Sequence, residues 1–290
     1  MNSLTYCNGL WLIKPDYIDD LALWRASGIL EVLEARRAKM FHWDFHSERL
    51  IRACKDYGIP ITEPEFPSFE NILKHATKLL SFSSDESLVM MLASKGKSKN
   101  LKVPDGQPTF TLKVNPLTKR SPEPFKLVIK NFTRPLPNIK LTAGYGFGLA
   151  FIEEAQSAGY DSCLYRDDKY GIAECPFENI FCVTPDGVLI APRHNILPGI
   201  TRTIVMDLAK QSGIFKDVIE QSVHVYQLHE SLCREVFLTS TTLGVAPVAS
   251  ITSSGGTVYS FRVSPENTYT QTLKEKFLSY REEYFKSHEA

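Results

Sequence analysis

The segment from residue 115 to residue 124 constrains the fold of this chain more than any other feature. Its sequence, Asn-Pro-Leu-Thr-Lys-Arg-Ser-Pro-Glu-Pro, holds three prolines and no apolar periodicity. Proline fixes φ and removes a backbone donor, so such a run ends helices and strands and is typical of a connector. We therefore predict a small N-terminal domain over residues 1–115, a connector over residues 116–124 and a larger domain over residues 125–290. With 290 residues in the chain, each part is long enough to bury a core.

Hydrophobic spacing predicts both strands and helices on each side of the connector. An Asn-Gly pair between two alternating runs indicates a hairpin near Asn8. The other elements predicted before the connector are strands at 88–94 and 109–114 and helices at 44–57 and 67–80. We also predict a strand at 29–36, although the apolar spacing there fits a helix as well. The elements predicted after the connector are strands at 125–132, 162–166, 179–184, 188–191 and 235–240 and helices at 146–158 and 202–212. Because strands and helices do not alternate one to one, we predict an α+β fold.

Charge and composition exclude several classes of partner. Thirty-three basic side chains balance thirty-three acidic ones, so the chain lacks the positive field that gathers a nucleic-acid backbone, and we predict no nucleic-acid partner. No apolar run approaches the length of a membrane span, and the first residues lack a basic stretch followed by an apolar one, so we predict no membrane association. The six cysteines form no Cys-x-x-Cys pair, which favours free thiols in a reducing, cytoplasmic setting and no metal site.

Two polar motifs are suited to holding an anion. Leu-Pro-Gly-Ile-Thr-Arg at 197–202 leads into an amphipathic helix, and a Pro-Gly turn there exposes backbone N–H groups at the positive end of the helix dipole. Thr-Ser-Thr-Thr at 239–242 follows an apolar run. An ordinary helix start with a threonine cap and an ordinary hydroxyl-rich turn are the competing interpretations. Lys140 and Glu174, each taken alone, are equally compatible with solvated surface residues.

The same residues point to one kind of chemistry when they are taken together. A lysine that can form a Schiff base, a carboxylate that can face a pyridine nitrogen and a phosphate seat are the parts of a pyridoxal phosphate site. The ordered motifs are Phe41-x4-His46-x2-Arg49-Leu50, Lys140-x4-Tyr145, Glu174-x4-Asn179-Ile-Phe, Ile-Leu-Pro-Gly-Ile-Thr-Arg at 196–202 and Glu-Val-Phe-Leu-Thr-Ser-Thr-Thr at 235–242. From about residue 25 to residue 250, the chain resembles the class IV pyridoxal phosphate enzymes. That family includes branched-chain aminotransferases, D-amino acid aminotransferases and 4-amino-4-deoxychorismate lyases.

This resemblance implies a two-domain fold, with a small α/β domain and a larger pseudo-barrel domain, in a homodimer that binds pyridoxal 5′-phosphate. Lys140 matches the catalytic Schiff-base lysine, Glu174 the carboxylate at the pyridine nitrogen and Arg49 an arginine that reaches the phosphate. The other implied cofactor contacts are Leu197 on the ring and Ile200, Thr201 and Thr241 at the phosphate. The implied substrate-binding residues are Glu31, Tyr145 and Thr242. The candidates for the substrate carboxylate stay open among Arg37, Lys113, Arg193 and His194.

Departures from the family patterns bear on the activity. The family has a Phe-Gly-Asp-Gly or similar run before its glutamate, whereas this chain has Leu-Trp-Arg-Ala-Ser-Gly at 23–28 before Glu31. Residues 98–108 contain no arginine or histidine, unlike the corresponding loop of the D-amino acid enzymes, so D-specificity is disfavoured. The run from Lys140 to Tyr145 is similar to the branched-chain pattern, with Gly144 in place of the usual asparagine. The Glu174-Cys175 pair is similar to the lyase pattern.

We therefore expect an aminotransferase that moves an amino group between an amino acid, with a branched or other apolar L side chain, and a 2-oxo acid. The alternative is the lyase of the folate pathway, which releases pyruvate and 4-aminobenzoate and needs no 2-oxo acid acceptor. A catalytically silent homologue is a third alternative, which the presence of both Lys140 and Glu174 disfavours.

Overall fold

The computed structural model describes residues 4–7, 10–12, 19–36, 39–60, 86–104, 107–117, 124–264, 266 and 268–287. The chain divides into two compact units, and each is described by itself. Unit 1 comprises Met1–Thr118, Ile139–Ala143 and Glu283–Ala290, and unit 2 comprises Lys119–Asn138 and Gly144–Glu282. Residues 139–143 thus group with unit 1 although they follow the predicted connector in sequence. Residues 118–123 of that connector lie outside the described residues, so the predicted domain boundaries stay a prediction.

Unit 1 is built on a six-stranded antiparallel sheet in the order β2-β1-β6-β5-β3-β4. The strands are β1 (Leu4–Cys7), β2 (Leu10–Leu12), β3 (Gly28–Arg36), β4 (Lys39–Met40), β5 (Glu86–Ser94) and β6 (Thr109–Pro116). β3 and β5 pair along their whole length, from Gly28 opposite Ser94 to Arg36 opposite Glu86. Because side chains alternate along a strand, this register places Val89, Met91 and Ala93 of β5 on one buried face.

One helix of unit 1 packs its buried face against part of this sheet. Unit 1 contains helices α1 (Leu21–Arg25) and α2 (Trp43–Tyr57), and the buried positions of α2 recur at spacings of three and four residues. The buried cluster between α2 and the sheet consists of Ile29, Leu50, Ala53, Cys54, Ile59, Ala93, Ile139 and Leu141. Gly58 ends α2 at φ 72°, where its N–H donates to the carbonyls of Cys54 and Lys55. Ile139 and Leu141 are core members, which explains why their segment groups with unit 1.

Unit 2 is built on a nine-stranded mixed sheet. Eight strands follow the order β12-β11-β10-β13-β14-β7-β8-β9, and β15 pairs with β14. The strands are β7 (Phe125–Asn131), β8 (Ser162–Asp167), β9 (Gly171–Ile172), β10 (Asn179–Val183), β11 (Val188–Pro192), β12 (Asp217–Gln221), β13 (Glu235–Ser240), β14 (Gly244–Thr252) and β15 (Val258–Ser260). Unit 2 also contains helix α4 (Ile200–Ser212), a 3-10 turn at Val225–Leu228 and most of the helices α3 (Thr142–Ser157) and α5 (Tyr269–Ser287). β10 is buried at every position, as expected for a central strand.

The α+β prediction is confirmed, and most predicted elements are present with shifted ends. The helix predicted from residue 146 begins at Thr142, and the one predicted from residue 202 begins at Ile200, so Tyr145 and Thr201 are helical. The helix predicted at 67–80 lies outside the described residues. No described helix is long and apolar enough to cross a membrane. Within the described ranges, no group of three or more His, Cys, Asp or Glu side chains is arranged to hold a metal ion.

Candidate active site

Lys140 is held by its backbone against β3 of unit 1. Its carbonyl oxygen accepts a hydrogen bond from Leu30 N at 2.9 Å, and Leu141 forms an isolated bridge with Ile29. Thr142 continues the attachment, because its hydroxyl accepts from Gly28 N at 3.1 Å and donates to the carbonyl of Ala26. The Lys140 side chain is half-buried. The edge of β3 therefore fixes the backbone position of the predicted Schiff-base lysine.

A buried cluster of an acid, a histidine and an arginine is centred on Glu31, the residue that follows Leu30 on β3. Glu31 is fully buried and receives both Nε and Nη2 of Arg49 at 2.7 Å, one on each carboxylate oxygen. His46 Nδ1 lies 2.8 Å from Glu31 Oε2 and donates to it, because an ionised carboxylate only accepts. His46 and Arg49 are three residues apart on α2 and so point from the same helix face. The bidentate contact fixes the orientation of the guanidinium plane.

The charges of this cluster set its protonation. Burial by itself raises the pKa of Glu31, but the Arg49 charge and the hydrogen bonds from Arg49 and His46 outweigh burial and lower that pKa from 4.5 to about 2. Burial lowers the pKa of His46, and the Arg49 and Lys140 charges lower it further against the opposing effect of Glu31. Glu31 is therefore ionised and His46 is neutral at neutral pH.

Glu174 is the centre of a second buried polar cluster, in unit 2. Its Oε2 accepts hydrogen bonds from Asn179 Nδ2 at 3.1 Å and from Leu197 N at 2.9 Å. Asn179 also donates to the Leu197 carbonyl at 2.9 Å, so one amide side chain connects the carboxylate to the Leu-Pro-Gly turn. The Glu174 side chain is only 2% exposed. A carboxylate held by donors in this way keeps one orientation.

Sequence reasoning missed Arg134, which is the cationic partner of Glu174. Its Nη2 lies 2.8 Å from Glu174 Oε1 and donates to the Pro176 carbonyl at 3.2 Å. The side chain of Arg134 is 3% exposed. Forty residues of sequence separate the two partners, and no local pattern links an arginine in a proline-rich loop to a distant carboxylate. Only the tertiary fold brings them together.

The start of α4 has the features of an anion seat. Its N-cap is Gly199, and no side chain caps the helix, so the competing interpretation with a threonine cap is wrong. Thr201 is buried and Ile200 is half-buried in the first turn. A Cβ added to Gly199 would lie 2.1 Å from Asn179 Oδ1, so only glycine lets the turn and the Asn179 side chain approach this closely. The amides of the first turn remain available to a phosphate.

A buried hydroxyl without a partner lies beside this seat. Thr239 is directly opposite Asn179 in the pairing of β13 with β10, so their side chains share one face of the sheet. Thr239 Oγ1 is buried and has no hydrogen-bond partner within the part of the chain that the structure describes. Thr241 follows two residues later, half-buried in the turn before β14. A polar atom left in this state is expected where a ligand completes the site. The residues present therefore fit a phosphorylated cofactor.

The predicted substrate residues occupy different settings. The Tyr145 ring lies 5.5 Å from the Arg134 guanidinium and stacks on Phe177 at 5.3 Å. Thr242 is exposed in the turn between β13 and β14, and Glu31 is engaged by Arg49 and His46 as described above. Their substrate roles stay predictions. Of the candidates for the substrate carboxylate, Lys113 is exposed on β6, Arg193 and His194 follow β11, and Arg37 lies outside the described residues.

Comparison with known proteins places these features in a family context. Residues 28–251 match the family model described as amino-transferase class IV. The chain is 28% identical over 291 residues to a putative branched-chain-amino-acid aminotransferase of Methanocaldococcus jannaschii, covering 95% of this chain and 96% of the relative. It is 26% identical over 239 residues to a probable branched-chain-amino-acid aminotransferase of Rickettsia bellii, covering 79% of this chain and 80% of the relative.

Solved structures of similar fold include two aminotransferases. The branched-chain aminotransferase of Thermoproteus uzoniensis with norvaline superposes with a TM-score of 0.81 at 22% identity, covering 97% of this chain and 95% of that one. A hypothetical aminotransferase from Mycobacterium tuberculosis in its PLP-bound form gives 0.78 at 20% identity, covering 96% and 98%. The fold expected from the sequence, that of the fold type IV pyridoxal phosphate enzymes, is confirmed by these likenesses.

Proposed function

The chain belongs to the class IV family of pyridoxal phosphate-dependent aminotransferases, and from this premise we propose that it moves an amino group between an apolar L-amino acid, branched-chain ones first, and a 2-oxo acid. The relatives named above are described as branched-chain enzymes, and the Thermoproteus structure holds norvaline, an apolar amino acid. These descriptions support the proposed substrate class. Apart from the likeness of the Glu174-Cys175 pair to the lyase pattern, no observation favours the lyase alternative.

The observation that carries the proposal is the buried Glu174 carboxylate. Burying a charge is costly unless it is paired and hydrogen-bonded, and here one ion pair and two donors stabilise a single anion. We propose that Glu174 faces the pyridine nitrogen of the cofactor and keeps a proton there. Leu197, whose N–H donates to Glu174, packs on the ring. Arg49, the first-turn amides of Ile200 and Thr201, and the Thr241 hydroxyl bind the phosphate.

Under this proposal, each residue has a stated role in the reaction, and Lys140 has two. Bound pyridoxal phosphate supplies an electron sink for the charge left on Cα when its C–H bond breaks. The Lys140 amine would hold the cofactor at rest. Once the amine of the substrate had taken its place on the cofactor, the freed Nζ would accept the Cα proton and transfer it to the cofactor. Glu174 holds the proton at the ring nitrogen, and this positive charge increases the pull on electrons from Cα. Glu31 holds the Arg49 guanidinium in one orientation relative to the phosphate that it binds.

Cofactor attachment provides the first test. Purified protein loaded with pyridoxal phosphate should absorb visible light, and borohydride reduction followed by peptide mapping should place the label on Lys140. Lys140→Ala should lose the absorbance, the label and turnover together. Lys126→Ala, which removes an exposed lysine at the start of β7, is the matched control and should lose none of them. A label on another lysine, with normal turnover in Lys140→Ala, contradicts the assignment.

Substrate use provides the second test. L-leucine, L-isoleucine and L-valine should each give the corresponding 2-oxo acid when 2-oxoglutarate is supplied as acceptor, and no product without it. Faster turnover of D-amino acids than of these three would refute the proposed stereochemistry. Pyruvate release from 4-amino-4-deoxychorismate in the absence of any acceptor would identify the lyase instead.

We also propose a cytoplasmic homodimer. Leu136, Phe147, Leu149 and Phe177 of unit 2 expose between 44% and 54% of their surface, and large exposed apolar side chains are typical of a subunit interface. The five described cysteines are free and buried, in keeping with a reducing compartment. Light scattering at working concentration should give twice the chain mass of 32.8 kDa, and a monomer there would count against the dimer.

A further inference from the structure

We propose that Arg134 is a positioning residue for Glu174 and that its charge lowers the affinity of the loaded site for protons. The inference rests on the proposed function, because it takes Glu174 as the carboxylate at the pyridine nitrogen. It concerns a residue outside the five family motifs recognised in the sequence.

The first step is the contact between the two side chains. Arg134 Nη2 lies 2.8 Å from Glu174 Oε1, and the two side chains are 3% and 2% exposed. At this depth water does not screen the pair, so each charge strongly affects the other. Glu174 Oε2 is already occupied by Asn179 and Leu197. Arg134 therefore holds its charge against the other oxygen, Oε1, through an ion pair.

The second step is the unusual state of the guanidinium. Arg134 Nε and Nη1 are buried without a hydrogen-bond partner among the described residues. An arginine bound to a carboxylate through both arms of its fork, as Arg49 is to Glu31, loses less free energy on burial. Arg134 makes a single contact with Glu174 and two of its nitrogens lack partners. This costly arrangement indicates a position where the charge itself is required.

The third step is the space that Gly144 leaves. A Cβ added to Gly144 would lie 3.1 Å from Arg134 Cδ and 3.2 Å from its Cγ, closer than ordinary van der Waals contact. Gly144 occupies the position where the branched-chain pattern usually has asparagine. The Tyr145 ring, on the next residue, lies 5.5 Å from the guanidinium carbon, a distance suited to cation–π attraction. Glycine at 144 thus lets the arginine stem pass beside α3 on its way to Glu174.

The consequence is electrostatic. A cation in contact with Glu174 stabilises its negative charge, so the carboxylate attracts a proton on the neighbouring ring nitrogen less strongly. The same cation opposes any further positive charge in the loaded site. Removing it should let the loaded enzyme keep its protons to a higher pH. A purely structural role of Arg134 would change stability and leave this titration where it is.

The experiment uses the loaded enzyme and follows its visible absorbance as a function of pH. Arg134→Met removes the charge and keeps most of the stem, and we expect the titration midpoint to rise by about one pH unit or more, a tenfold change in proton affinity. Arg134→Lys keeps a charge on a similar stem, and its midpoint should stay close to that of the wild type. Equal midpoints in Arg134→Met and wild type, or a Lys variant that behaves like the Met variant, overturn the inference.

A second pair of variants decides the matter if Arg134→Met does not fold. Gly144→Ala keeps both charges but presses on the arginine stem, and a contact already at 2.8 Å can only lengthen, so the midpoint should rise by a smaller amount. Gly146→Ala, where an added Cβ meets nothing within 4 Å, is the control and should leave it unchanged. No rise in Gly144→Ala overturns the inference. Failure of the wild type to take up the cofactor on Lys140 would instead refute the proposed function.

Discussion

The Glu31→Gln variant tests whether the buried cluster of unit 1 is held together by charge. Glutamine keeps the shape of the side chain and one acceptor oxygen, and removes the negative charge that faces Arg49 and His46. Arg49 is 7% exposed, so the variant leaves a buried guanidinium without its counter-charge. Breaking a buried pair in this way typically costs about 3–5 kcal/mol.

The pKa of Glu31 gives a second measure of how much this ion pair contributes to the free energy of unfolding. Lowering the pKa of Glu31 from 4.5 to about 2 means that the folded state binds its proton about 300-fold less tightly than the unfolded chain, which corresponds to about 3 kcal/mol. Because the folded pKa is depressed, this stability is fully present above pH 4.5 and is lost as pH falls toward 2. The two measures agree, so we expect Glu31→Gln to lower the free energy of unfolding of unit 1 by about 3 kcal/mol at pH 7.

Tryptophan fluorescence makes this measurement specific to unit 1. The chain has three tryptophans, Trp11, Trp24 and Trp43, and all three fall within unit 1. Urea unfolding followed by their emission should give the full difference between wild type and variant at pH 7. At pH 3 that difference should shrink to about 1.4 kcal/mol, because most of the linkage free energy has been lost. Glu48→Gln is the control: it changes an exposed carboxyl on α2, the helix that carries Arg49, and should alter the free energy of unfolding by less than about 0.5 kcal/mol.

Two outcomes would refute this reasoning. Equal unfolding free energies for wild type and Glu31→Gln at pH 7 would mean that the ion pair adds nothing to stability. A difference that stays the same between pH 7 and pH 3 would mean that the loss comes from altered packing, because only the charge titrates in that range.

Two further perturbations probe unit 2 and the thiols. The Cβ added in Gly199→Ala would lie only 2.1 Å from Asn179 Oδ1 and would displace that side chain, so pyridoxal phosphate should bind at least about fivefold more weakly, as measured by absorbance. Gly255→Ala is the control, because its Cβ would meet nothing nearer than 3.9 Å, and it should bind the cofactor normally. Equal affinity in both variants would exclude the steric argument. In a Cys7→Ser background, Ellman's reagent should leave the five described, buried cysteines unmodified until urea is added. Burial keeps the reagent away, and at Cys54 it also raises the thiol pKa to about 12, which leaves little thiolate. Rapid labelling of the native protein would contradict the burial of these thiols.

Strong local patterns in the sequence predicted their elements well. The stripe of α2 and its glycine end fit a helix best, and the short, mostly apolar run of β10 fits a buried strand. The apolar spacing of β3 also fits a helix, and the structure shows that it forms a nine-residue strand. β14 was not predicted, because Pro247 interrupts its apolar run and proline is rare inside a sheet. The structure accommodates it because the pairing of β14 with β7 begins only at Val248, so Pro247 interrupts no bond to that strand.

The candidate site shows where sequence reasoning ends. Motif order was enough to select Lys140, Glu174 and Arg49 as chemical candidates, since each motif is short and contiguous. It could not reveal which charge each residue contacts, because such partners are chosen by the fold. Glu31 lies eighteen residues before Arg49, and Arg134 forty before Glu174. The two partners of each pair lie on different segments of the fold, so no spacing rule within one helix or one strand could have joined them.

Each unit thus places one arginine against one glutamate away from water, and the two pairs differ in a way that bears on function. Buried ion pairs rarely stabilise a fold more than apolar residues of the same size would, so stability alone does not explain them. The Glu31–Arg49 contact is bidentate and fixes the orientation of the guanidinium, which suits the role that we propose for Arg49 in binding the phosphate. The Arg134–Glu174 contact is single and incompletely satisfied, which suits a charge that adjusts the strength of its partner. Loss of the first pair should therefore appear mainly in stability and phosphate affinity, whereas loss of the second should appear in the pH dependence of the loaded enzyme.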